Sequence, residues 1–372
     1  MNWRMHLSIF VAALFVAGCS VAEPAGARAT PIREVSDGRL DSYLQERVTK
    51  EHFTGVALVT RDGKIVHAKG YGVATGNRAN GVDTKLHVGS ITKQFTAAAI
   101  MQLVEKGAVQ LDGPINAYLP PKYRSAKWDP VTVHHLLSHT SGIADYAVTR
   151  DYYRVAKGFC LGDTVDGMLR EAMGKDLEFV PGSKFSYTNL GYALLGVVIE
   201  NQANASYEDY IEDNILDPMG MSASRIHGVG HVAAHDEAEG FRWSEELGTH
   251  VPDGIATLPA TAPDGGLITT LGDFVKWSRI FTAGEQTILS EASIELMSTA
   301  QIRIGNGGPL DSMGYGLYVG DRLIGHGGLI VGFSGQFVFD GETRSLVVVF
   351  SNDASADPQN IVFGLLTLLL TT

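Results

Sequence analysis

One stretch constrains this chain more than any other. Within residues 86–107, Ser90-Ile91-Thr92-Lys93 opens an apolar run that closes at Gly107. Ile91, Phe95, Ala98, Ala99 and Leu103 recur at helical spacing, which predicts a helix. Gly107 follows Glu105 and Lys106 as a C-terminal stop, and Gly89 suits the tight turn that enters the helix. Residues three apart on a helix share a face, so Ser90 and Lys93 can touch near the positive end of the helix dipole. A neutral lysine takes a serine proton, and the serine then attacks a carbonyl carbon. Of twelve lysines, only Lys93 has a serine three positions before it. On its own the tetrapeptide reads more simply as an N-cap serine beside a solvated lysine. The rest of the chain has to decide.

Strand patterns lie at both ends. Residues 54–60 and 64–70 flank Arg61-Asp62-Gly63, a hairpin signal. Residues 315–319, 322–325, 332–340 and 345–352 read as late strands. Helical patterns cover 37–51, 133–138, 190–201, 206–216, 271–283, 290–299 and a closing apolar stretch, 358–370. The economical architecture is α/β (α+β): one antiparallel sheet built from both termini, flanked by the first and last helices, with a mostly helical lobe inserted. A chain of 372 residues that is 45% hydrophobic can bury a core of that size. The net charge is -12 and no basic tract occurs, which argues against a nucleic-acid partner.

The N-terminus reads as a targeting segment. Arg4 precedes an apolar run from Leu7 to Ala17, too short for an ordinary membrane span. Residues 1–18 are the expected signal, 19–33 a flexible tether rich in Ala, Pro, Gly and Arg, and 34–372 the folded domain. Val16-Ala17-Gly18-Cys19 resembles a bacterial lipobox, in which Cys19 is lipidated. That predicts an exported protein of the bacterial cell envelope, held to the membrane on its periplasmic side by an N-terminal lipid anchor. The alternative is an ordinary signal cleaved nearby, after Ala22 for example. Cys160 is then a lone thiol without an internal disulfide, expected as a small buried hydrophobe.

Four further segments carry chemistry: Leu136-Leu137-Ser138-His139-Thr140-Ser141-Gly142, Tyr187-Thr188-Asn189 after Pro181-Gly182-Ser183, Gly265-Gly266-Leu267-Ile268-Thr269-Thr270, and Gly325-His326-Gly327-Gly328-Leu329. In this order and spacing with Ser90-Ile91-Thr92-Lys93, they resemble the serine β-lactamase-related family. The branch is that of class C β-lactamases, D,D-peptidases and β-lactamase-fold esterases. The resemblance runs from about residue 35 to the C-terminus and implies a β-lactamase/transpeptidase-like fold. It casts Ser90 as nucleophile and Lys93 as its proton partner. Tyr187 becomes a second general base that later protonates the leaving group. Asn189 is cast as a hydrogen-bond partner of the substrate amide or ester side chain. His326, Gly327 and Gly328 stand where many members have Lys-Thr-Gly. The oxyanion hole is assigned to the backbone N–H groups of Ser90 and Leu329. No metal and no cofactor are implied.

Physical chemistry adds two expectations. Lys93 and His326, as positive neighbours, should depress the Tyr187 pKa. Glycines at 327 and 328 should let a substrate lie against the strand edge. His326 is also the departure from the family pattern. No lysine follows Lys276, so no Lys-Thr-Gly exists, and a histidine is only partly charged near neutrality. The leading expectation is a serine hydrolase acting through an acyl-enzyme on small esters or D-amino-acid amides and peptides. A β-lactamase or penicillin-binding D,D-carboxypeptidase is the near alternative. A non-hydrolytic sensor of penicillin or peptidoglycan is an alternative of another class. Elsewhere, His139 is expected to pin its own turn, and Asp145 and Tyr146 to be structural. His135 and His139 have i, i+4 spacing but lack the acid of a zinc protease. His227, His231 and His235 are expected as exposed loop histidines.

Overall fold

Eight antiparallel strands form the main sheet, and they come from the two ends of the chain. The N-terminal pair is β1 (Gly55–Arg61) and β2 (Lys64–Tyr71). The C-terminal group is β3 (Ile302–Arg303), β4 (Ser312–Met313), β5 (Tyr318–Val319), β6 (Leu323–Ile330), β7 (Phe333–Asp340) and β8 (Ser345–Ser351). The spatial order is β3-β4-β5-β6-β7-β8-β1-β2, so the termini meet where Val56 of β1 pairs with Phe350 of β8. The β1–β2 turn places Asp62 and Gly63 at φ of 49° and 71°, the left-handed pair that a tight hairpin demands. This computed structural model describes residues 32–145, 164–227, 234–253, 262–282 and 288–371. The signal 1–18, Cys19 and the tether through residue 31 lie outside the described residues, as do Tyr146, Cys160 and His231.

β7 and β8 are buried at every position because both faces of the sheet are covered. On one face, α1 (Gly38–Glu51) and α4 (Pro358–Leu370) set Leu40, Leu44, Ile361, Val362 and Leu365 against Val338, Val347 and Val349. On the other, Phe333, Phe337 and Phe350 pack toward α2 (Lys93–Glu105) and the helical lobe. Every residue of α2 from Lys93 to Leu103 is buried. Its small residues Ala97, Ala98 and Ala99 suit close packing in the core it shares with α3 (Asn189–Ala203).

One boundary difference from the sequence expectation bears on the site. The strand predicted over 322–325 runs on through Ile330, so His326 to Leu329 belong to the strand itself. Gly325, Gly327 and Gly328 weaken strand propensity. Tertiary pairing overrides it: His326 lies opposite Phe337 and Gly327 opposite Gln336.

Gly55 tests the seam between the chain ends. Its φ is +150°, and a Cβ there would stand 2.2 Å from the Phe350 carbonyl oxygen. Gly55→Ala should therefore lower stability by roughly 3 kcal/mol. The measurement is a urea midpoint at unchanged m-value.

Candidate active site

The turn that carries Ser90 is built by glycines. Ser90 lies on a 3-10 turn, Gly89–Thr92, that leads into α2. Gly89 has φ +53°, and a Cβ on it would stand 2.9 Å from the Leu329 nitrogen. A Cβ on Gly328 would lie 1.9 Å from the Val88 oxygen. Only bare backbones let β6 dock this closely on the turn. The turn is also tied to the 265–270 segment: Thr92 Oγ1 donates to Gly89 O at 2.7 Å and accepts from Leu267 N at 3.0 Å.

Lys93 is fully buried. Its Nζ makes three hydrogen bonds: to Ser90 Oγ at 3.0 Å, to Asn189 Oδ1 at 2.8 Å and to the Asp264 carbonyl at 2.7 Å. Burial lowers the ammonium pKa, and the carboxylates of Asp264 and Asp145 resist; the result is about 8. Asn189 stands between Lys93 and Asp145, donating through Nδ2 to Asp145 Oδ2 at 3.2 Å. Asp145 also accepts from the backbone of Asn189 at 2.8 Å and Leu190 at 3.0 Å, which fixes the first turn of α3. Sequence reasoning missed Asp264. Its only local signal is that it precedes Gly265-Gly266.

The Tyr187 ring lies 5.0 Å from Lys93 Nζ and stacks on His139 at 4.2 Å between centroids. Tyr187 and Ser90 line the same cavity. His139 has the left-handed φ of 55° and grips both neighbours of Tyr187. Its carbonyl accepts from Ser186 N at 2.9 Å, and its Nδ1 accepts from Thr188 N at 3.2 Å. The expected depression of the Tyr187 pKa does not occur. Burial raises it, the Ser90 hydroxyl opposes, and Asp264 and Asp145 push it further up.

His326 explains part of that reversal, because it is not a cation. It is buried beside Tyr318, with ring centroids 4.8 Å apart, and Tyr187, at 6.2 Å. Burial pulls its pKa down to about 3; a contact with the Gly327 carbonyl resists and Lys93 adds to the fall. A carbonyl only accepts, so Nδ1, 2.5 Å from Gly327 O, carries the proton.

Two histidine expectations resolve differently. His227 is buried, not exposed: its N–H donates to Gly266 O at 2.6 Å and its ring meets His87 edge-on. The cause is the pairing of Arg225–Ile226 with Leu267–Thr269, which carries the following residue inward. His135 spends Nδ1 on the Thr132 N–H at 3.1 Å in a capping box. Among the described residues, no group of three or more His, Cys, Asp or Glu could hold a metal ion.

A serine on a tight turn, a buried lysine one turn on and a glycine-rich strand alongside define a serine hydrolase of the β-lactamase type. A family model described as Beta-lactamase matches residues 40–365, and the chain belongs to that family of serine hydrolases. Penicillin-binding protein 4* of Bacillus subtilis (strain 168) is 27% identical over 333 residues, spanning 84% of this chain and 71% of its own length. Among solved structures, the octameric penicillin-binding protein homologue from Pyrococcus abyssi has a TM-score of 0.78 at 34% identity, over 90% of this chain and 77% of that one. A D-stereospecific amidohydrolase from Streptomyces sp. shares the fold, with a TM-score of 0.69 at 23% identity over 88% of this chain and 98% of its own.

The buried imidazole gives a pH prediction. With a folded pKa near 3 against a free value near 6.5, the unfolded chain binds the extra proton between those limits. His326 therefore contributes stability above pH 6.5 that is lost as pH falls toward 3, by up to roughly 1.4 kcal/mol per pH unit. In an NMR titration its ring resonances should not move between pH 5 and pH 8. A midpoint near 6.5 would contradict the buried neutral ring.

Proposed function

We propose that this chain is an exported serine hydrolase that works through an acyl-enzyme on small esters or D-amino-acid amides and peptides. The observation that carries this is the 3.0 Å contact between Ser90 Oγ and a buried Lys93 Nζ whose pKa is drawn down to about 8. About a tenth of such an amine is neutral at pH 7. In that fraction Nζ takes the Oγ proton as Oγ bonds to the substrate carbonyl carbon, and the carbonyl electron pair moves onto oxygen. The N–H groups of Ser90 and Leu329 receive the oxyanion, a role supported by the close docking of the Leu329 backbone on Gly89. Tyr187 starts protonated in this scheme. It passes its phenolic proton to the leaving group and regains the one held by Lys93. Water then repeats the attack on the acyl carbonyl, and Ser90 leaves with a proton.

Asn189 keeps Nζ aimed in this scheme. The substrate contact that the resemblance assigns to it would use Nδ2, and there it competes with Asp145. Gly327 and Gly328 leave the strand edge clear for the substrate. The neutral His326 offers no permanent charge to a substrate carboxylate, which favours neutral esters and amides over β-lactams.

Log kcat/KM for a p-nitrophenyl ester should rise with pH at a slope of about one and level off near pH 8, the Lys93 value. Ser90→Ala should abolish turnover and fluorophosphonate labelling. Lys93→Ala should cost roughly a hundredfold or more in kcat. Labelling that survives in Ser90→Ala sinks the nucleophile assignment. A chromogenic cephalosporin turned over faster than the ester would turn the reading to a β-lactamase.

We also propose that Cys19 is lipidated and holds the domain at the bacterial envelope, on the periplasmic side of the membrane. The support is the lipobox-like Val16-Ala17-Gly18-Cys19 after an apolar run. Expressed with its own signal in a Gram-negative host, the protein should fractionate with membranes. Cys19→Ala should be soluble or unprocessed. A mature N-terminus that begins after Cys19 overturns the proposal.

A further inference from the structure

The cavity that contains Ser90 does not end at the nucleophile. It encloses about 630 Å³ and runs past His326, Gly327 and Gly328 to Ala354, Asp357 and Phe363 beside the start of α4. The passage exists because β5 pairs with β6 only at Ile324 and Gly325. Beyond that point this edge of β6 has no strand partner among the described residues, and two glycines leave no side chain to close it.

The polar groups at the far end are not a random mixture. Gln336 is 6% exposed and lines the cavity. Its Nε2 donates to the Phe337 carbonyl at 3.2 Å, which fixes Nε2 as the donor end and leaves Oε1 as an acceptor. Oε1 lies toward Gly327, where a Cβ would stand 2.8 Å from it, and it takes no hydrogen bond from a described residue. Asp357, exposed at the rim, supplies a carboxylate. Of the donors nearby, Ser334 Oγ is spent on the Asp353 carbonyl at 2.7 Å, and Asn306 Nδ2 gives one of its two N–H groups to the Leu310 carbonyl at 3.3 Å. Gln359 is exposed at the rim. Among the described residues that line the cavity, Asp357 is the one acidic side chain, and no lysine or arginine stands with it.

The N-terminus of α4 would ordinarily favour an anion. Here that end is occupied from within. Asp357 is its N-cap and accepts from Asn360 N at 3.1 Å, while Pro358 at the first helical position has no N–H to offer. A full negative charge outweighs about half a positive one.

We propose that this far end is a subsite for an ammonium group, so that the preferred ester or amide carries a primary amine several atoms from the scissile bond. The amine would donate to Gln336 Oε1 and to the free oxygen of Asp357. This rests on the serine hydrolase reading above and adds a substrate class to it.

The test uses matched pairs. On the acyl side, the p-nitrophenyl ester of 6-aminohexanoate is compared with that of hexanoate. On the leaving-group side, the N-acetyl-D-alanyl amide of 1,4-diaminobutane is compared with that of butylamine. At least one amine should be preferred by about tenfold or more in kcat/KM at low salt, falling as ionic strength rises. Asp357→Asn keeps the helix cap and should bring that ratio toward one. Asp357→Lys should favour a carboxylate-terminated analogue instead. Neutral substrates turned over with no amine preference in either pair overturn the subsite and leave the hydrolase reading intact. If nothing is turned over and Ser90 is not labelled, the hydrolase reading itself fails. The subsite is then decided by calorimetry on Ser90→Ala: 1,4-diaminobutane should bind and butanol should not, and equal or absent binding overturns it.

Discussion

A buried ammonium organises the catalytic half of this molecule. Taking a lysine charge out of water costs several kcal/mol unless its donors are met. Lys93 meets all three, and each acceptor comes from a different part of the chain: the Ser90 turn, the first residue of α3 and the carbonyl of Asp264. The turn, the helix and the segment before Gly265 are thus held in mutual register by one group. The same desolvation that makes the ammonium demanding also lowers its pKa to about 8, within reach of neutral pH. Structure and reactivity at this position have a single cause.

The aromatic side chains around that charge are kept neutral. The imidazoles of His139 and His326 are both held below their usual pKa by burial, and the Tyr187 phenol is held above its own. His139 acts on Tyr187 through shape, by stacking beneath the ring and gripping the residues on either side. Its left-handed backbone is the strain that this grip requires. Asp145 serves the lysine indirectly, by orienting Asn189 and closing the first turn of α3.

Bare backbone is the second structural device. Gly89, Gly328 and Gly316 each stand where a Cβ would lie within 3 Å of a neighbouring backbone. The first two bring β6 onto the Ser90 turn. Gly316 brings the chain before β5 onto the backbone of Lys93 and Gln94. Side chains anywhere along this seam would separate Ser90 from β6.

Much of this was legible in the sequence, for local reasons. Two strand-like runs joined by Arg61-Asp62-Gly63 announce a hairpin, helical spacing announces α2, and a serine three residues before a lysine puts both on one face. These signals sit within a few residues of one another, so composition and spacing carry them, and with them the sheet built from both chain ends. What only the tertiary structure decided depends on neighbours far away in the chain. The length of β6 was hidden because its glycines argue against a strand until β7 pairs with it. The burial of His227 follows from a ribbon closed by residues forty positions later. Residue type alone suggests a lowered phenol at Tyr187 beside an only partly charged His326. Burial reverses the first and carries the second to a neutral ring, because the cost of desolvating a charge is set by everything packed around it and is invisible in the order of residues.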